Sequence, residues 1–369
     1  MTRNELRRTQ VDTFLNIKHG LFHTRDLVRG AWGRLRYDHQ PSDKPFEFSS
    51  VKRAVINRID GKIGDSVCFA PFLRELGKHC PDMEIVILAN EAMRAVYNQI
   101  PGNFKLVMCS KRPHGREVLN ICKRIGACDF YVHLVENLRS RELSFIHYLD
   151  PVWVATLDPN LKMDSLRLSR HISSVRGRGL HITQILNCIL SEGGISDIDH
   201  SYVRFFEREV ALSRIRNTVG IVPYGASDRR RLSDESLRVI TDRILKLPGV
   251  NAEIFAAPGE RSHLKDFLSA NYRDEPRIAL APLLLGMRDV FVHAASYRAI
   301  IGVDTGTAHV AASYGVPAFT IYSNDIANFN RWHAVSDSAV NISYDCSTYY
   351  DIDNRKLDQD LGAFIEGNF

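Results

Sequence analysis

The stretch IIGVDTGTAHVAASYGVPAFTIY, Ile300 to Tyr322, decides the fold. The apolar run Ala299 to Val303 has the length and branching of a buried strand, and Asp304-Thr305-Gly306 breaks it. Thr307 to Tyr314 reads as a helix of small residues, and after Gly315 and Pro317 a second apolar strand runs from Ala318 to Tyr322. Strand, turn, helix and strand in this order make a unit of parallel sheet covered by helices. The turn also has a chemical meaning. A helix opening at Thr305-Gly306-Thr307 leaves backbone N–H groups unpaired at its positive end, which suits a phosphate. Gly306 permits close approach, Thr305 and Thr307 add hydroxyls, and His309 lies near the same end. The competing reading is that Asp304 caps the helix.

The same rhythm extends in both directions. Val219 to Pro223 and Ala252 to Ala256 read as strands, with helices at Asp234–Leu247, Ser262–Ala270 and Arg288–Ala295. Earlier in the chain, strands at Ala54–Ile59, Glu84–Leu88, Phe104–Met108 and Phe130–Leu134 alternate with helices at Ser66–Lys78, Glu91–Gln99 and Arg116–Ile125. Two such runs predict an α/β protein of two Rossmann-like α/β/α domains facing a central cleft, over residues 50–210 and 216–348. The rhythm fades over residues 140–215, where only a helix from His181 to Ser191 stands out. Residues 350–369 are expected to form a C-terminal helix, about Asn354 to Glu366, packing toward the first domain. Ligands of such sheets sit beyond the carboxyl ends of the strands, so the loops after Ile59, Val222 and Val303 should line the cleft.

Composition narrows the class. With 369 residues, 44% hydrophobic and 25% charged, the chain can bury two cores. The formal charge of +5 resides in residues 1–36, which hold eight Lys/Arg and three Asp/Glu. The remainder is neutral, unlike a nucleic-acid enzyme with basic domains, and no nucleic-acid partner is expected. Residues 1–48 form a basic amphipathic extension: Val11, Phe14, Leu15, Leu21, Phe22, Val28, Trp32 and Leu35 recur at helical spacing among Lys18, Arg25, Arg29 and Arg36. Such a stripe fits docking on its own domain and attachment to an anionic membrane equally well. No apolar stretch is long enough to span a membrane and no signal peptide is evident, so a cytoplasmic protein is expected, peripheral on the inner face of the cytoplasmic membrane if the extension binds lipid. Seven scattered cysteines offer no C-x-x-C pair and read as reduced thiols.

The segment D-T-G-x-x-H-x-A-A-x-x-G-x-P from Asp304 to Pro317 resembles the heptosyltransferase family of glycosyltransferases. A second match runs from Ala54 to Leu88, AVINRIDGKIGDSVCFAPFLRELGKHCPDMEIVIL, with the family's opening strand, its turn from an arginine to Gly-Asp, its Pro-containing helix and its P-x-x-x-I strand. Together they cover residues 52 to about 345. The resemblance implies a GT-B fold with an N-terminal acceptor domain and a C-terminal nucleotide-sugar domain. It implies an inverting, metal-independent transfer, with heptose from ADP-heptose as donor and a lipopolysaccharide core as acceptor. No cofactor or metal is expected. The family's catalytic base falls on Asp65, where a carboxylate after a glycine-rich loop could take a proton from an acceptor hydroxyl. From the residues alone, the preferred reading is that Asp65 is the N-cap of a helix starting at Ser66.

Further site residues follow from the same resemblance. Pro223 to Glu235, PYGASDRRRLSDE, is similar to the family's diphosphate segment, placing Ser227 and Arg230 on the donor together with Asp304, Thr305, Gly306, Thr307 and His309. Arg230 stands where the family has Lys, and Arg229 or Arg231 could serve instead. Glu260 falls at the ribose-binding acid. Ser323-Asn324-Asp325 replaces the family's Gly-Pro-Thr. An anionic acceptor is expected on Lys62, Gly64, Arg112, Arg139 and Arg141, with Lys111, His114 and Arg116 nearby. Two D-x-D triplets, Asp197 to Asp199 and Asp351 to Asp353, read as solvated turns. The rival readings are a same-family transferase acting on a capsule, protein or other glycan, and a dinucleotide-dependent oxidoreductase. The latter is disfavoured because the first loop lacks G-x-G-x-x-G and Leu88-Ala89-Asn90 ends in no acid. A non-catalytic nucleotide-sugar binder is the third possibility, and retention of Asp65 and Asp304 argues against it.

Overall fold

Strands and helices alternate along almost the whole of this computed structural model, which describes residues 28, 30–38, 44–163, 166, 168, 179–212 and 216–369. A helix over residues 30–37 (α1) precedes β1 (Arg53–Arg58), α2 (Ile63–His79), β2 (Glu84–Ala89), α3 (Arg94–Tyr97) and β3 (Phe104–Met108). Next come α4 (Arg116–Ile125), β4 (Phe130–Val132), α5 (Ser140–Leu149), β5 (Trp153–Ala155), α6 (Ile182–Glu192) and α7 (Glu207–Leu212). The second run is β6 (Arg216–Val222), α8 (Asp234–Leu245), β7 (Asn251–Ile254), α9 (Arg261–Asn271), β8 (Ile278–Leu280) and α10 (Met287–Ala295). It ends with β9 (Tyr297–Val303), α11 (Gly306–Tyr314), β10 (Ala318–Tyr322), α12 (Ile326–Trp332), β11 (Ala339–Ser343) and α13 (Asn354–Asn368).

The strands form two parallel sheets, ordered β3-β2-β1-β4-β5 and β11-β10-β9-β6-β7-β8. β1 is central in the first because both of its faces are apolar. Ala54 and Ile56 enter one core with α2 and α6, while Val55 enters the other with α4 and α5. Period-two alternation thus divides one strand between two layers of helix. In the second sheet Ile300 faces the core shared with the first domain, and Ala299, Ile301 and Val303 face the outer one. The shared core joins Val67 and Leu73 of α2 to Val310 and Ala311 of α11, so these two helices form the main seam between the domains.

Two expectations are corrected. α2 begins at Ile63, not Ser66. The C-terminal helix packs on its own domain: Leu357, Leu361 and Phe364 join the outer core of the second sheet, and Arg243 of α8 meets Asp358 at 2.7 Å. Its apolar face matches the outer side of the sheet, so it does not return to the first domain. Three-residue strands β5 and β8, and β11 at the sheet edge, had no separate signal in the sequence.

Much of the N-terminal extension, residues 1–27, 29 and 39–43, lies outside the described residues, and with it most of the amphipathic pattern. Its last turns dock through glycines. A Cβ on Gly33 would lie 2.9 Å from both Leu143 Cδ1 and Ser140 Cα of α5. Arg34 pairs at 3.2 Å with Asp158, which is wholly buried and also accepts a bond from the Leu138 amide at 2.7 Å. The opposite face exposes Val28, Trp32 and Leu35 at 63%, 53% and 87%. Among the described residues no helix is long and apolar enough to cross a membrane.

Candidate active site

The β1–α2 loop is pinned before it reaches the cleft. Asn90, just past β2, donates its side-chain amide to the Ile59 carbonyl at 3.0 Å. Gly61 adopts φ +64 against that amide, and a Cβ there would come within 1.8 Å of it. Only glycine meets both requirements. The chain then enters α2, with Lys62 at the N-cap and Asp65 in the first turn; Lys62 makes no side-chain cap bond. Asp65 is therefore not the cap.

Beneath this turn lies Arg58, the last residue of β1, only 6% exposed. Its Nη2 sits 3.2 Å from Asp60 Oδ1 and 3.3 Å from Asp65 Oδ2, and its guanidinium stacks 4.3 Å over the Phe69 ring. Burial pushes the Asp65 carboxyl above the usual carboxylate range, against the pull of Arg58 and Lys62. Asp60 lies below its ordinary value: desolvation would raise it, but Arg58, Lys62 and His133 outweigh that. Burial also works to lower the proton affinity of Arg58, yet Asp60, Tyr97 and Asp65 overcome it and fix the guanidinium as a cation.

On the facing side, Thr305 caps α11 by its extended backbone, and its hydroxyl meets that of Thr307 at 2.5 Å. Asp304 is buried; its Oδ2 lies 3.0 Å from Arg230 Nη1 and accepts from Asn328 Nδ2 at 2.8 Å. Burial raises the Asp304 carboxyl, and Arg230, Asn328 and Lys62 oppose the rise. Arg230 is projected by a tight return of the chain. Tyr224 and Arg231 pair as an antiparallel bridge, and Gly225 donates its amide to the Arg230 carbonyl at 2.6 Å. The neighbouring arginines point elsewhere. Arg231 grips both oxygens of Glu260 at 2.6 Å and stacks over Tyr224 at 4.1 Å, and Arg229 is exposed. Ser227, also exposed, caps the short 3-10 turn Asp228–Arg230.

The two turns touch. A Cβ added to Gly64 would lie 3.2 Å from Gly306 Cα and 2.7 Å from His309 Cδ2; one added to Gly306 would lie 2.9 Å from the Gly64 amide nitrogen. The positive ends of α2 and α11 therefore converge at the seam, with Lys62 acting electrostatically on Asp65 and Asp304 alike. His309 departs from the expectation that it meets the donor. It is 4% exposed, its Nδ1 lies 3.4 Å from Cys68 Sγ, and burial pushes its pKa down to about 4. It is a neutral packing residue under Gly64.

The remaining candidates lie on neighbouring loops. Arg112 is exposed after β3, and Arg139 directly precedes α5, after β4. Arg141, in the first turn of α5, is paired with the buried Glu142. Of the D-x-D residues, Asp197 is 93% exposed, Asp199 pairs with Arg74 at 3.0 Å, and Asp353 caps α13. Among the described residues no three His, Cys, Asp or Glu side chains gather as a metal site. Two cavities of about 790 and 400 Å3 lie along the seam toward the other ends of α2 and α11, beside Arg74, Phe72 and Ala312, and include none of the candidates. The sequence alone assigned no role to Arg58, Asp60, Asn90 or Asn328. Arg58 and Asp60 stand inside the motif already quoted, whereas Asn90 and Asn328 carry no local signal.

Residues 269–359 match the family model of glycosyltransferase family 9 (heptosyltransferase). No curated protein sequence matches the chain. Among solved structures it is similar to the glycosyl transferase family 9 protein of Veillonella parvula, at 17% identity and TM-score 0.67, covering 88% of this chain and 99% of that one. It is also similar to the E. coli heptosyltransferase WaaC with ADP, at 13% identity and TM-score 0.66, covering 86% and 100%. The E. coli ADP-heptose lps heptosyltransferase II follows at 15% identity and TM-score 0.62, covering 86% and 99%. The chain has the GT-B fold of these structures, and its residues 269–359 match the glycosyltransferase family 9 (heptosyltransferase) model.

Proposed function

We propose that the protein is an inverting transferase that moves heptose from ADP-heptose onto a lipopolysaccharide core saccharide or a related glycan. One observation supports this above the rest: the Asp65 turn and the α11 N-terminus meet at Gly64 and Gly306, so a base and an anion-binding helix end share one cleft. An acceptor hydroxyl held near Lys62 and Gly64 attacks the anomeric carbon while Asp65 takes its proton. The bond from that carbon to the β-phosphate oxygen breaks in the same step, and the nucleoside diphosphate leaves with the bonding electrons. A single displacement inverts the anomeric centre. Charge on the leaving group is met by the α11 backbone amides, the Thr305 and Thr307 hydroxyls and Arg230, without a metal. Asp304 and Asn328 hold Arg230 in place; Ser227 and Glu260 lie on the same donor side. The ADP in the WaaC complex supports an ADP-linked donor. Arg112, Arg139 and Arg141 supply positive charge for an anionic acceptor.

The exposed stripe Val28, Trp32 and Leu35 beside Arg34 and Arg36 supports peripheral attachment to the inner face of the cytoplasmic membrane. Replacing Trp32 and Leu35 together with Ser should reduce binding to anionic vesicles. Unchanged binding would leave the docked face as this helix's whole purpose.

Asp65→Asn tests the chemistry. Because Asp65 is not the helix cap, the variant leaves the start of α2 intact and keeps the size of the side chain beside Arg58. Turnover should fall by about 10²- to 10⁴-fold with ADP binding retained. Wild-type turnover would remove Asp65 from the mechanism.

A further inference from the structure

Arg58 is a buried cation at the carboxyl end of the central strand, and a single nitrogen of it serves two carboxylates. Its Nε and Nη2 have no aligned hydrogen-bond acceptor among the described residues, so both contacts are ion pairs off the hydrogen-bonding axis. The guanidinium cannot swing away: Phe69, one helical turn after Asp65, lies flat against it at 4.3 Å. Tyr97 of α3 is fully buried beside it and bonds Ser66 at 2.9 Å. A buried arginine with two nitrogens lacking aligned acceptors is costly, and a site that retains one spends stability on placing its charge.

We propose that Arg58 is the positioning residue for Asp65, fixing one carboxylate oxygen so that the other addresses the acceptor hydroxyl, and that Asp60 tunes this hold by competing for the same nitrogen. The inference rests on Asp65 being the base. In the charge balance around Asp65, Arg58 and Lys62 favour the carboxylate, while desolvation and Asp60 oppose it. The other groups nearby do not take over this task. Cys68 is a buried thiol pushed far above its usual range, His309 is neutral, and burial lowers His133. Arg230 across the seam is committed to Asp304. Removing Arg58 leaves Lys62, exposed at the N-cap, as the remaining cation.

The two members of the device act in opposite senses, which a purely structural role would not do. Arg58→Gln should raise the pH at which Asp65 ionises, and Asp60→Asn should lower it. Full-length protein carrying 13C-labelled aspartate carboxyls, with the Asp65 resonance assigned through Asp65→Asn, reads this directly and needs no knowledge of the donor. In turnover with ADP-heptose, the acid limb of the Arg58→Gln profile should move up, with at least about a tenfold loss on that limb for each pH unit of movement, recovering as pH rises. Arg58→Lys, which keeps the charge, should restore part of the loss. Titration midpoints that stay at the wild-type position in both Arg58→Gln and Asp60→Asn, or that move in the same direction, would overturn the proposal. If Arg58→Gln does not fold, the downward shift in Asp60→Asn decides alone. An Asp65→Asn variant with full turnover would reject the base itself, whereas an inactive one beside unshifted titrations rejects only the role of Arg58.

Discussion

Gly64→Ala tests the contact on which the site depends. The added methyl would sit 2.7 Å from His309 Cδ2 and 3.2 Å from Gly306 Cα, whereas carbon atoms pack at about 3.5–4.0 Å. His309 cannot yield freely, since it is buried and its Nδ1 lies 3.4 Å from Cys68 Sγ. Relief must come from parting the N-termini of α2 and α11 by several tenths of an ångström to about 1 Å. Overpacking of this kind costs about 1–3 kcal/mol. A misplacement near 1 Å between the hydroxyl that the base activates and the anomeric carbon it attacks is enough for about a 10²-fold loss of rate. The two effects should appear together: a lower urea midpoint and a fall in nucleoside diphosphate release, with ADP binding by calorimetry changed much less, because the donor side keeps its own geometry. Gly367→Ala is the control, as it lies in α13 with nothing within 4 Å of the added carbon and should be neutral or slightly stabilising. If Gly64→Ala matched that control in both stability and turnover, the turns would not be in contact and the shared cleft would be refuted.

Arg230→Ala should weaken ADP binding by about 1.5–3 kcal/mol, the range for a charge-assisted hydrogen bond. It also leaves Asn328 and Lys62 to oppose the effect of burial on Asp304, so its carboxyl should rise further. Arg231→Ala, which removes the partner of Glu260, should have the smaller effect on the diphosphate, and equal effects would reject the distinction between the two arginines. A chelator should leave turnover unchanged if helix end and Arg230 carry the leaving-group charge, and strict metal dependence would refute that assignment. Away from the cleft, Glu253 is held at about 2: desolvation would raise it, but bonds from His293, Tyr297 and Arg216 outweigh this. A depressed carboxyl stabilises the fold above its unfolded value of 4.5 and loses that contribution as pH falls toward 2. The urea-midpoint deficit of Glu253→Gln should therefore be larger at pH 7 than at pH 3, and a constant deficit would contradict the cause given.

The parts of the site legible in the sequence are those in which one short segment makes both the shape and the chemistry. Asp304 to Thr307 ends a strand, opens a helix and offers its amides within four residues, so local pattern and function coincide. Gly61 to Asp65 behaves likewise, and its one misreading, the helix start, follows from glycine being a poor helix former that Gly64 nevertheless occupies because α11 leaves no room for a side chain. What stayed hidden depends on partners far along the chain. Asn328 supports Asp304 across 24 residues and Asn90 pins Ile59 across 31. His309 looked like a ligand at a helix end until packing against Gly64 buried it. The C-terminal helix carries an apolar face that either domain could have covered, and only the outer face of the second sheet, lined by Ile301, Phe319 and Ile321, decides between them. Arg58 is the sharpest case. A charged residue closing a buried strand reads locally as a strand end reaching solvent, yet Phe69 and Tyr97 roof it over and two carboxylates draw on its charge. Burial of a cation at the carboxyl end of the central strand is costly in free energy, and we attribute its retention there to the placing of Asp65.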